Sequence, residues 1–219
     1  GAHHGVQVEI DWIQAEEVEG LLGEGRLKDL DGIVIPGGFG ERGIEGKIDA
    51  VRYVREKNIP FLGICLGMQM AVIEYSRNVL GLTDANSTEM NENTSHPVID
   101  LMESQKDVIN KGGTMRLGSW DCKLESDSLA YESYGHTEIK ERHRHRYEFN
   151  NDYKSQIEDA GLKTTGLNPD TGLVEIVEIS THNWFVGVQY HPEYKSTVAN
   201  PHPLFVSFVS AALDYKTKQ

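Results

Sequence analysis

The sequence predicts an α/β protein: a mostly parallel central sheet flanked by helices, with extra short antiparallel strands. Three observations point there. Compact apolar runs, Asp31-Gly32-Ile33-Val34-Ile35 and Ile59-Pro60-Phe61-Leu62-Gly63-Ile64, read as buried strands, and each is followed by a helical segment. The first ends in a turn-rich loop, Pro36-Gly37-Gly38-Phe39-Gly40. The second runs through Gly63-Ile64-Cys65-Leu66-Gly67 directly into a helix. Strands that alternate with helices imply crossover connections, and hence a parallel sheet with helices on its faces.

Taken in order, Val6 to Asp11 alternates as a strand, and Ala15 to Leu22 suits a short helix. Lys47 to Lys57 places Ile48, Val51 and Val54 on one helical face, and Met68 to Val79 places Met68, Val72, Tyr75 and Val79 likewise. Thr83 to Met115 is polar and without a clear period, so most of it reads as loop. Short strands are expected from Thr114 to Tyr147, with Cys122 in a surface strand. Leu173 to Ile179 alternates behind the turn Asn168-Pro169-Asp170-Thr171-Gly172. Trp184 to Tyr190 is a further strand, delivering His191-Pro192-Glu193 at its end. Pro203 opens a last helix with Leu204, Phe205, Phe208, Val209 and Ala212 facing inward.

The length of 219 residues suits a single domain over the whole chain, with residues 1–5 a cloning remnant or a cut end. With 34 acidic against 21 basic residues the net charge is −13, which speaks against nonspecific nucleic-acid binding. No apolar run approaches the roughly 18 residues that span a membrane. Two cysteines argue against a disulfide scaffold and for a reducing, cytoplasmic setting.

The chemistry concentrates at Cys65. A small residue on each side of a nucleophile, at a strand-to-helix turn, makes an elbow from which the side chain projects clear of both elements. The helix N-terminus favours a thiolate there. Such a nucleophile needs a base, and the base an orienting carboxylate. His191 and Glu193 provide both at a strand's end, two residues apart and so on one side of an extended stretch. An oxyanion hole needs backbone N–H groups close to a carbonyl; the Gly37-Gly38 turn and the N–H of Leu66 suit it. In Arg142-His143-Arg144-His145-Arg146, an arginine gripping a substrate carboxylate and a solvated basic strand both remain open. Nothing has metal-ligand spacing, and no P-loop occurs.

Together these residues resemble the triad-type, class I glutamine amidotransferases, through Pro36-Gly37-Gly38, Gly63 to Gln69 and His191-Pro192-Glu193. More narrowly they resemble the glutaminase domains of CTP synthases, through Gly37 to Gly43, Asp84 to Glu89, Gly112 to Gly118 and Glu141 to Glu148. The resemblance implies a flavodoxin-like open sheet in which Cys65 attacks the side-chain amide of L-glutamine, with His191 as base and acid and Glu193 orienting it. It implies oxyanion donors at Gly38 and Leu66. The glutamine would be held by Gly38, Phe39, Leu66, Gly67, Met68, Gln69, Glu89 and Arg146, with Arg146 on the α-carboxylate and Glu89 on the α-ammonium. Arg42, Gly43, Glu45, Thr114 and Arg116 match loops that the family links to activation and to contact with its other domain.

The family's amino-terminal synthetase domain, which phosphorylates UTP and adds ammonia, has no counterpart in these residues. The chain is therefore expected to be a glutaminase module needing no cofactor of its own. The full-length family enzyme uses ATP and magnesium, takes GTP as activator and forms homotetramers. Two other readings stay open: a stand-alone hydrolase of γ-glutamyl compounds on the same fold, and a non-catalytic regulatory module. An intact Cys65, His191 and Glu193 speak against the latter.

Overall fold

The computed structural model describes residues 1–101 and 115–218. Its central element is a seven-stranded sheet built from β1 (Ile33–Ile35), β2 (Phe61–Ile64), β5 (Arg116–Leu124), β6 (Glu138–His145), β8 (Lys163–Leu167), β9 (Val174–Glu178) and β10 (Phe185–Val188), in the order β1-β2-β10-β9-β8-β5-β6. A second sheet of three strands contains β3 (Asn86–Ser87), β4 (Pro97–Leu101) and β7 (Tyr147–Phe149). The helices are α1 (Val18–Glu24), α2 (Ile44–Lys57), α3 (Leu66–Asn78), α4 (Leu129–Tyr134), α5 (Lys154–Ala160) and α6 (Pro203–Lys216). Among the described residues no helix is long and apolar enough to cross a membrane.

The α/β class and the helix-flanked sheet are as expected. β1, β2 and β10 pair in parallel, and β9, β8, β5 and β6 continue the sheet by antiparallel pairings. Because antiparallel neighbours reverse twice, β8 and β6 again run in the direction of β1, β2 and β10. The antiparallel part is not made only of short additions: β5 and β6 hold register from Arg116↔His145 to Lys123↔Glu138.

Adjacent residues of the central strands divide between two apolar cores, because successive side chains point to opposite faces. Phe61, Phe185 and Val177 enter the core shared with α2 and α3, whereas Leu62, Val186 and Ile176 enter the one capped by α6. Helix α3 is covered on almost every side, from Leu66 to Ser76. Its fully buried Glu74 is gripped by Arg55 of α2 at 2.7 Å and 2.9 Å, an ion pair that locks the two helices together.

Several sequence expectations need correction. Val6 to Asp11 forms no strand; Val8 and Ile10 lie exposed, and no sheet edge among the described residues pairs with them. The Thr83–Met115 stretch contains β3 and β4, which pair with each other, while β4 pairs also with the distant β7; neither leaves a period to read. The rest of it, residues 102–114, lies outside the described residues. Cys122 is buried within β5, not in a surface strand, and burial pushes its thiol pKa up. In β9 both faces are buried, so its alternation does not mark a solvent side. Its Glu178 instead accepts the Leu129 and Ala130 N–H groups at 2.8 Å and 2.9 Å, satisfying the start of α4.

One buried cluster ties the two sheets together. Arg116 of β5 donates to Glu175 of β9 at 2.7 Å and to Glu148 of β7 at 3.4 Å. A single guanidinium cannot neutralise two carboxylates. Burial pushes Glu148 up to about 8 and Glu175 up to about 7, against the pull of Arg116. Folded-state values raised above the unfolded ones mean that the contribution of these groups is complete below about 4.5 and lost as pH rises through 7 to 8. Glu148→Gln should therefore flatten the fall in Tm between pH 6 and pH 9. Arg116→Met, which leaves two buried carboxyls without a cation, should cost about 3–5 kcal/mol in denaturant titration at neutral pH.

Candidate active site

The backbone at Cys65 has φ 50° and ψ −100°, outside every region that non-glycine residues populate freely. This is the turn between β2 and α3, and it is held from both sides: Cys65 N–H donates to the Val188 carbonyl at 2.7 Å, and the Cys65 carbonyl accepts from Gln69 N–H at 3.2 Å. The flanking glycines are required by space. A Cβ on Gly63 would lie 2.7 Å from the Gly67 carbonyl carbon, and one on Gly67 would lie 2.2 Å from the Ile35 carbonyl oxygen. Only bare backbone lets β1, β2 and the first turn of α3 approach so closely.

His191 leaves the end of β10, and its Nδ1 pairs with Glu193 Oε1 at 2.6 Å. The ring of Tyr194 stacks on the imidazole, with centroids 4.7 Å apart and planes 6° from parallel. His191 N–H donates to the Arg142 carbonyl, which docks this turn on β6. His191 Nε2 is buried and has no hydrogen-bond partner at ordinary distance. Burial alone would lower the imidazole pKa, but the nearby Cys65 sulfur and the hydrogen bond and charge of Glu193 outweigh it, raising His191 to about 10. With Nδ1 engaged by Glu193, the unpartnered Nε2 is the ring nitrogen left to exchange a proton.

The Gly37-Gly38 turn closes over this pair. A Cβ on Gly37 would strike His191 Cε1 at 2.7 Å and lie 3.6 Å from Cys65 Cβ, and one on Gly38 would touch Leu66 Cδ2 at 3.0 Å. Gly38 and Leu66 are thus neighbours, as two oxyanion donors must be. Phe39, at the tip, is 88% exposed. Gly40, with φ +76°, donates its N–H to Glu89 Oε1 at 3.3 Å, so Glu89 latches the loop.

Arg146 occupies the bend where the chain leaves β6 for β7 and changes sheets. Arg142 and Arg144 face solvent along β6, while His143 and His145 point inward. The buried Arg146 Nε has no partner within the protein. Glu89 and Arg146 both act on the Tyr147 phenol: burial chiefly raises its pKa, the Glu89 charge adds to that, and the Arg146 charge opposes it. A carboxylate and a guanidinium therefore both act at this bend.

That bend is held from behind. The Tyr147 carbonyl accepts from Gln69 Nε2 at 3.0 Å and from His145 Nδ1 at 3.1 Å. With Nδ1 of His145 as donor, its Nε2 must accept from His143 Nδ1 at 2.9 Å, since burial pushes His143 to about 2 and His145 to about 3 and leaves both neutral. Gln69 is buried and uses its amide nitrogen inside the protein, on Tyr147 and on Gln189 Oε1 at 3.3 Å. The side chain of Met68 is fully buried in the core, which leaves only the backbone of Gly67 and Met68 for a ligand.

The remaining candidates lie apart. Arg42 is exposed and pairs with Glu16 at 2.5 Å; Glu45 is exposed and pairs with Arg77 at 2.8 Å. Gly43, with φ +67°, caps α2 where a Cβ would meet that of Ala15 at 2.6 Å. Arg116 is enclosed in the cluster between the sheets, so its guanidinium is not at the surface where another domain would meet it. Thr114 lies outside the described residues. Tyr194 and Gln189 were missed from sequence. Nothing marked Tyr194, while Gln189 carried a signal in standing two residues before His191, on the same side of an extended chain.

Known proteins are similar to this chain in sequence and in fold. A model of the family "Glutamine amidotransferase class-I" matches residues 1–211. The CTP synthase of Christiangramia forsetii is 64% identical over the whole chain, and that of Clostridium beijerinckii is 58% identical over 98% of it. The chain spans about 40% of the length of each. Among solved structures, the glutaminase domain of Trypanosoma brucei CTPS with bound acivicin superposes with a TM-score of 0.90 at 40% identity, covering 97% of this chain and 83% of that one.

Removing the Cys65 sulfur should release the upward hold that it exerts on the imidazole. In Cys65→Ala, the His191 titration followed by NMR should fall well below about 10, with only Glu193 left to raise it. The contribution of His191 to stability, complete below about 6.5 and lost as pH rises to about 10, should then end at lower pH. An unchanged midpoint would show that the two side chains are not coupled.

Proposed function

The chain belongs to the class-I glutamine amidotransferase family, in its CTP synthase branch, and from that premise we propose that it hydrolyses L-glutamine to glutamate and ammonia as the glutaminase half of a CTP synthase. The observation that carries the reading is the strained Cys65 elbow set against a His191–Glu193 pair 2.6 Å apart.

Arg146 takes the α-carboxylate and Glu89 the α-ammonium, which points the side-chain amide at Cys65. The sulfur attacks the amide carbon, and the N–H groups of Gly38 and Leu66 stabilise the oxygen as it becomes negative. His191 gives the proton on Nε2 to the leaving nitrogen, the C–N bond breaks, and ammonia departs from a γ-glutamyl thioester. His191, now neutral, takes a proton from water; the hydroxyl adds to the thioester carbon, and glutamate leaves as the sulfur reclaims the electron pair. Glu193 holds Nδ1–H throughout, which fixes Nε2 as the working nitrogen. Among the described residues no group of three or more His, Cys, Asp or Glu side chains is placed to hold a metal ion, and every step uses this chain's own groups.

Amination of UTP with ATP and magnesium, activation by GTP and assembly into homotetramers would belong to the longer protein of which such a domain is part. A cytoplasmic setting fits a nucleophile that must stay a free thiol, as both cysteines here are. Exposed Arg42 and Glu45, beside the oxyanion loop, are the residues best placed to meet a partner domain.

Cys65→Ala should abolish ammonia release from glutamine. Cys122→Ala should keep it, while losing about 1 kcal/mol of stability from a small buried vacancy. Equal loss of activity in both variants, with folding preserved, would overturn the nucleophile assignment. Arg146→Ala should raise KM for glutamine by about 10- to 150-fold, since a charge-assisted hydrogen bond is worth roughly 1.5–3 kcal/mol. An unchanged KM would reduce the basic run to a solvated strand.

A further inference from the structure

Gln189 is fully buried in the bend that follows β10, two residues before His191. Its backbone N–H continues the ladder to the Glu175 carbonyl at 2.8 Å. Its side-chain amide does not serve the sheet: Nε2 donates to Cys65 Sγ at 3.7 Å, and Oε1 accepts from Gln69 at 3.3 Å. Gln69 in turn donates to the Tyr147 carbonyl at the bend that carries Arg146. A buried amide is costly unless its polar groups are matched, and this one is matched to the sulfur of a reactive cysteine.

We propose that Gln189 is a positioning residue for the nucleophile, donating an N–H to the Cys65 thiolate and linking it through Gln69 to the substrate-carboxylate bend. The chemistry follows from the geometry. An N–H aimed at sulfur favours the charged form over the neutral thiol, because a thiolate is the better acceptor. It also restricts the sulfur to the side of the elbow that faces His191. Gln189 lies in the short bend that follows β10 and His191 directly after it, so one backbone path delivers both the proton acceptor and the thiolate donor. The Gln69 bridge makes the sulfur position sensitive to the placement of Tyr147, and hence of Arg146.

The inference rests on the reading of Cys65 as nucleophile, but its main test needs no glutamine. The pH profile of Cys65 alkylation by iodoacetamide, read by mass spectrometry, should move up by about one unit in Gln189→Met, with alkylation at pH 7 slowed about tenfold. Gln189→Glu keeps an acceptor for Gln69 but places a carboxylate beside the sulfur, and should move the profile further. For glutamine hydrolysis, kcat should fall about tenfold in Gln189→Met with KM within about twofold. A purely structural role would change thermal stability and leave the alkylation profile in place. An unmoved or downward profile in a variant with native far-UV circular dichroism overturns the proposal. Gln189→Glu decides it should Gln189→Met not fold. If the native protein hydrolyses no glutamine, the proposed function fails, and the alkylation profile still judges Gln189.

Discussion

A cysteine held at φ 50° and ψ −100° is the constraint on which the rest of this structure depends. A conformation of that kind costs of order 1–3 kcal/mol and persists only where its surroundings over-determine it. Here they do. Backbone hydrogen bonds to Val188 and Gln69 pin the residue, and the glycines at 63 and 67 allow the end of β1 and the first turn of α3 to close around it. The parallel strands β1, β2 and β10 thereby bring three chain segments to one end of the sheet: the glycine loop after β1, the elbow after β2 and the His191 turn after β10. That is the end where open α/β sheets gather their functional groups.

The other side of the candidate site is built differently. Arg146 and Glu89 do not come from the parallel strands; Arg146 sits where the chain crosses from β6 of the large sheet to β7 of the small one, and Glu89 just after β3 of the small sheet. The crossing is stabilised in the interior by Arg116 with Glu148 and Glu175, by the two neutral histidines and by Gln69. Such a buried polar network carries a large desolvation cost, and its value lies in fixing one arrangement of the bend. The Cys65–His191 pair and the Arg146 bend are thus held by separate means and joined through Gln69 and Gln189.

The parallel half of the fold was legible because its signals are local. Ile33–Ile35, Phe61–Ile64 and the helices that follow carry their own period and turn residues, and the spacing of Gly63, Cys65 and Gly67 is itself the elbow. β3 and β4 were not legible, since β3 has two residues and no period, and β4 is held also by β7, far along the chain. Val6 to Asp11 shows the opposite failure: the alternation is present, but no strand pairs with it among the described residues. Cys122 was misjudged as lying in a surface strand for a related reason. A pattern reports which side chains are apolar, and the neighbours that bury the other face come from elsewhere.

By itself the sequence singled out Cys65, His191, Glu193 and the glycine loop at 37–38 as candidates, because each is written within a few residues. It also determined the family, through blocks whose spacing is specific. Only the tertiary structure decided that Arg116 is an interior tie between sheets, that Glu89 meets the oxyanion loop at Gly40, and that Gln189 reaches the sulfur of a residue 124 positions away. Hydrogen bonds act over about 3 Å whatever the separation along the chain, so contacts between distant residues leave no local pattern to read.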